Sequence, residues 1–218
     1  MIRMATTDVL APFQWLNMPE SAGGPLGVIF SVAFFRGIDQ AEVVRRFSLG
    51  EDSGHESDFG GLNEKVLEFV NRTAGGSGGG YVGVFPAGEW CVAIEPYGWS
   101  ATDHEVVTEL SQGCEVLAVT RHDYAAEPSL EYAIDGTIVT GYRLRHPYDR
   151  YGSDPDRLNG FMQELGMELD TPENDVAWED NHDTAIPKGF ALMAKVTEEA
   201  FTPDMLTRPM LVASIAKR

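Results

Sequence analysis

The stretch VAIEPYGW places one carboxylate, Glu95, at the end of an apolar, strand-like run and beside Tyr97 and Trp99. A carboxyl group held against aromatic rings loses hydration of its charged form, so its pKa rises and it can act in acid–base chemistry. With Trp90 and Tyr132 as further walls, Tyr97 and Trp99 would complete a candidate small-molecule pocket around Glu95. Ligand sites are usually mostly apolar with a few convergent polar groups. Two other readings stand beside this one. Glu95 can instead hold a turn or pair with an arginine such as Arg143 or Arg157, and aromatic residues in strands are commonly plain core.

Other stretches with chemical side chains have structural explanations. Asp154-Pro155-Asp156 fits the start of a helix, with Asp154 as N-cap, Pro155 in the first turn, Asp156 at the positive end of the dipole and Gly166 as the stop. The EDNHD stretch offers Glu179, Asp180, His182 and Asp183 as hard-metal ligands. Consecutive loop residues seldom converge on one ion, however, and no HxxxH or HxE spacing accompanies them, so it reads as a solvated acidic linker and no metal site is expected. The glycine run TAGGSGGG, residues 73–80, lies after a helix-like segment and before a strand, the reverse of a phosphate-binding loop, and no lysine is near. It reads as a flexible connector. No cofactor motif is found, so no cofactor is expected.

Bulk composition narrows the function classes. The chain has 34 acidic and 16 basic residues among 218, a formal charge of −18, with 22 of the acidic residues in the half after residue 100. Such a field repels nucleic acids and anionic lipid, which are bound through neutralising Lys and Arg. Direct nucleic-acid or membrane binding is therefore not expected, and a protein partner with a basic surface is. Two cysteines, Cys91 and Cys114, are too few for a disulfide framework or a structural zinc site and read as buried thiols. No run reaches the roughly 18 apolar residues of a membrane helix. The N-terminal MIRMATTDVLAPFQW meets Asp8 before any apolar stretch develops, so a secretory signal is not expected and a cytoplasmic location is.

The elements that must position these residues follow from periodicity and caps. GVIFSVAFF (27–35) reads as an apolar strand, and DQAEVVRRF (39–47) as a helix capped by Asp39. LNEKVLEFVNR (62–72) reads as a helix with Leu62, Val66, Leu67, Phe69 and Val70 in one stripe. After the glycine run come YVGVFP, EWCVAIEPYGW, CEVLAVTRH, SLEYAID and TIVTGYRL, five short segments rich in β-formers. Asp135-Gly136 marks a tight hairpin between the last two. ATDHEVVTELSQG (101–113) interrupts them with a helix, Thr102 and Glu105 forming its capping box. The last third reads as helical: 154–166, 185–200 and a short piece at 202–206, separated by an acidic loop. The expected class is α+β, a mainly antiparallel sheet with helices before, within and after it, in one domain over 1–218. Its possible subdivisions are 1–72, 81–146 and a helical 151–218.

Several ordered segments resemble the DUF6461-like family, actinobacterial proteins of unknown function. They are FQWL (13–16), FFRGIDQAEVVRRF (34–47), GEWCVAIEPYGW (88–99), ELSQGCEVLAV (109–119), LEYAIDGTIVTGY (130–142), YGSDPDRLNGFMQELG (151–166) and ALMAKVTEEAFTPDML (191–206). The chain departs at EDNHD and at the glycine run, which look like local loop insertions. The resemblance implies an intracellular single-domain protein and supplies no activity or catalytic residue. The leading functional expectation is a non-enzymatic interaction module, immunity-like, antitoxin-like or regulatory, with an acidic surface. The alternatives are a small-molecule-binding protein or enzyme around Glu95, and a nucleic-acid mimic.

Overall fold

The computed structural model describes residues 8–75, 77–124, 126–171 and 175–217, with side chains from residue 182 onward in the last of these. The first seven residues, part of the stretch in which no secretory signal is expected, lie outside the described residues. The centre of the fold is one sheet of eight antiparallel strands: β1 (Ile29–Arg36), β2 (His55–Ser57), β3 (Tyr81–Ala87), β4 (Trp90–Pro96), β5 (Glu115–His122), β6 (Ser129–Ile134), β7 (Thr137–Arg143) and β8 (Met210–Ser214). Their spatial order is β2-β8-β3-β4-β1-β5-β6-β7. Five α-helices accompany them among the described residues: α1 (Gln40–Phe47), α2 (Phe59–Thr73), α3 (His104–Leu110), α4 (Asn159–Glu164) and α5 (Asp175–Thr197). The α+β class is as the sequence indicates.

Both faces of the sheet are covered, which is why the central strands are apolar throughout instead of alternating. From β1, Phe30, Val32 and Phe34 enter one core with Leu62 and Val66 of α2, Met162 of α4 and Phe190 of α5. Ala33 and Phe35 point the other way, to Val43, Val44 and Phe47 of α1 and Val106, Val107 and Leu110 of α3. The Asp135-Gly136 turn joins β6 to β7 with both φ angles positive, 46° and 73°, the conformation a two-residue hairpin with right-handed twist demands. Asp39 caps α1 by accepting the Glu42 amide at 2.9 Å. Cys91 and Cys114 are free and buried.

Four local expectations are corrected. Thr102 does not cap α3. Asp103 does, accepting the amides of Glu105 and Val106, while Thr102 sits in a preceding 3-10 turn. Asp154 is not an N-cap: its amide and that of Ser153 donate to carbonyls of β7, so the chain here covers the sheet edge, and α4 starts only at Asn159. The acidic stretch containing EDNHD is not a loop but the opening of α5, although residues 172–174 and the side chains of Glu179 and Asp180 lie outside the described residues. Finally, the last third is not wholly helical, since β8 returns to pair with β2 on one side and β3 on the other. Within α2, Leu67 faces solvent and is 49% exposed, so its apolar stripe is narrower than its sequence suggests. Among the described residues no helix is long and apolar enough to cross a membrane.

Candidate functional site

Strand β6 carries apolar Leu130 and Tyr132 into one core, and by alternation it turns Glu131 toward the opposite face. In register with Glu131 are Ala118 of β5 and Gly141 of β7. The glycine matters: a Cβ at 141 would collide with both Glu131 Oε2 and the ring of Tyr151. Tyr151 is fixed by two backbone hydrogen bonds with Gly141, each 2.9 Å. The Tyr151 hydroxyl consequently reaches down and donates to Glu131 Oε1. From the other side His104, first residue of α3, brings Nε2 to 2.9 Å from the Tyr151 hydroxyl and 3.3 Å from Glu131 Oε1.

The result is a graded chain from water to interior. The His104 side chain is 59% exposed and that of Glu131 1%. Burial, and to a lesser degree the nearby charge of Asp103, pushes the Glu131 carboxyl up to about 8, against the lowering effect of the Tyr151 hydrogen bond. Burial and the adjacent Glu131 raise the Tyr151 hydroxyl too. At neutral pH Glu131 is therefore mainly a carboxylic acid, with Oε1 accepting from Tyr151. Its other oxygen, Oε2, is buried without any hydrogen-bond partner. A buried polar atom left in that state costs about 1–3 kcal/mol, and such atoms concentrate at functional sites.

Above this carboxyl lies a cleft of about 600 Å³, walled among others by Asp123, Glu127, Ser129, Arg143 and Arg145. Arg143 pairs with Glu127 at 3.2 Å and Arg121, beneath, pairs with Asp123 at 2.6 Å. The arrangement can bind a small polar molecule, hold a proton at Glu131, and exchange it with solvent through Tyr151 and His104. Among the described residues no cluster of three or more His, Cys, Asp or Glu is placed to hold a metal ion.

The residues singled out by sequence are dispersed. Glu95 is fully buried on the same face as Glu131, but its oxygens are taken: Oε1 accepts from Ser31 Oγ at 2.7 Å and the Ala101 amide at 2.9 Å, and Oε2 from the Ser100 amide at 3.1 Å. Burial raises its pKa, and these bonds oppose the rise. It holds the turn after β4, and Arg143 lies with Glu127 instead. Trp99 shares a cavity of about 370 Å³ with Glu95, closed by Phe69 and by the glycine loop, which is folded against the end of β4. Tyr97 is exposed, at a φ of 54°. Trp90 and Tyr132 are on the opposite face, the first packed edge-on to Phe34 and the second donating to Glu115 Oε1 at 2.7 Å. The five residues do not form one pocket.

Glu131 carries the sequence signal that Glu95 does, a carboxylate inside an apolar strand. His104 and Tyr151, 27 and 20 residues away from it, carry no local signal at all.

No curated protein and no solved structure matches the chain. A family model does, over residues 6–218, and its description is a family of unknown function, DUF6461. With essentially the whole chain matched, the protein belongs to the DUF6461 family.

Proposed function

We propose that this chain is a small-molecule-binding protein whose site is the cleft over Glu131, with the groups for proton transfer in place. The observation that carries this reading is the buried Glu131 carboxyl, held mainly neutral and with Oε2 unmatched, in a residue that lines the cleft. A bound acceptor atom receives the hydrogen bond that the protein itself does not take up. A basic ligand atom can receive the proton outright, after which Tyr151 passes one to Glu131 and His104 replaces it from water. A thermal-shift screen of small polar metabolites at pH 6.5 tests it. Ligands at about a hundredfold over Kd are expected to raise the Tm of the protein by about 5 °C and to lose that effect on Glu131→Met, which keeps the bulk but has no donor. Equal shifts in the variant would sink the assignment.

A second reading, an interaction module for a basic protein partner, is favoured by the charge of −18 and by a groove beside Trp99 bordered by Asp103, Glu105 and Glu109. Carboxylates around an exposed indole suit Lys or Arg side chains.

A further inference from the structure

We infer that the ligand of the Glu131 cleft is a small anion, carrying a carboxylate or phosphate group that seats on Arg145 and Arg143. This rests on the reading of the cleft as a small-molecule site and names the ligand class. In a chain with 34 acidic residues, an arginine has carboxylates at hand. Asp123 of the wall is taken by Arg121, which reaches it from the other face of β5 and does not line the cleft, and Arg143 in the wall takes Glu127. Arg145 differs. Among the described residues no carboxylate lies within ion-pair distance of it, and its Nε is buried with no acceptor. A guanidinium in that condition calls for an anionic oxygen from elsewhere, and its planar fork of N–H groups fits carboxylate and phosphate alike.

The charges facing the cleft agree with this. The two ion pairs cancel. Asp103, at the head of α3, accepts from the amides it caps. Glu131, the acid at the floor, is held mainly in its neutral form by burial, so at neutral pH it offers a donor where an ionised carboxylate would repel an anion. Arg145 is left as the uncompensated charge, with the exposed His104 ring at the mouth adding to it whenever it is protonated.

The test uses the full chain labelled with 15N and follows arginine Nε–H resonances at pH 6.5 and constant ionic strength. Sodium phosphate and sodium acetate are titrated separately against a chloride background. One of them is expected to move the Arg145 signal saturably with roughly millimolar affinity, which also tells phosphate from carboxylate. Arg145→Gln should weaken that binding about tenfold or more, as should Arg145→Lys, which keeps the stem and charge but loses the fork; Arg157→Gln, outside the cleft, should not. If neither anion saturates, while a neutral molecule from the thermal screen binds and is lost on Glu131→Met, the anion assignment is wrong and the cleft stands. If nothing binds in either titration or in the thermal screen, the cleft itself is not a binding site.

Discussion

Replacing Glu131 by Gln is expected to abolish the decline of stability with rising pH that this buried carboxyl imposes. The carboxyl has a folded-state pKa of about 8 against an ordinary value of 4.5, because burial disfavours its charge. Below pH 4.5 both the folded and unfolded chains carry the proton, and Glu131 contributes no penalty. As pH rises the unfolded chain releases the proton first, so folded stability declines through the window up to about 8. Across that window the decline from this residue is on the order of 4 kcal/mol. Glutamine does not titrate. At pH 4.5 the variant should match wild type or fall about 1 kcal/mol below it, because its amide has no acceptor near Gly141. At pH 8 it should exceed wild type by about 3 kcal/mol. Urea unfolding of both proteins at four pH values measures the difference, in which the titration of the other carboxylates cancels. Parallel curves would mean that the ionised group is accommodated, with His104 at 3.3 Å the group placed to do it.

The second large effect is expected at Glu95. Glu95→Ala removes the acceptor for one hydroxyl and two backbone amides in a fully buried setting. Each orphaned donor costs about 1–3 kcal/mol, so a loss of about 4 kcal/mol or more is expected, a large share of the 5–15 kcal/mol typical of a native protein. Glu95→Gln keeps one carbonyl oxygen but turns an NH2 toward amide donors, and should cost about 2 kcal/mol; Ser31→Ala, deleting a single bond, about 1 kcal/mol. Denaturant unfolding followed by tryptophan fluorescence orders the three. A near-neutral Glu95→Ala would show that water replaces the carboxylate and that the cavity beside Trp99 is wet. The turn held by Glu95 runs directly into α3, so loosening it also loosens His104.

These two carboxylates show what was legible in the sequence and what was not. The sheet strands declared themselves through short runs rich in Val, Ile and aromatics, and the β6–β7 hairpin through Asp-Gly. Strands β2 and β8 did not. His55–Ser57 is three residues long and polar, and Met210–Ser214 follows a helical segment with no turn signal typical of a strand pair. Their pairing is set by tertiary register, on which local propensity is silent. The misplaced start of α4 has the same origin: Asp154 has the composition of a cap, yet its amide serves the edge of β7. Likewise a carboxylate in an apolar strand pointed equally to Glu95 and Glu131. Only the groups that meet each one separate their roles. Glu95 meets a hydroxyl and two amides that use up its acceptors, whereas Glu131 meets a phenol and an imidazole at one oxygen and keeps the other unmatched.

The insertion of β8 between β2 and β3 sets the order in which this protein can be made. Seven of the eight strands emerge from a ribosome before residue 210, yet the flank of β3 that will receive β8 has no neighbour until then. Through most of synthesis the nascent chain thus presents an open hydrogen-bonding edge backed by the apolar side chains of β3, a template for pairing with other chains. Closure is a late, long-range event, joining residues near 82 to residues near 213, and the demand for protection during translation is written into the strand order.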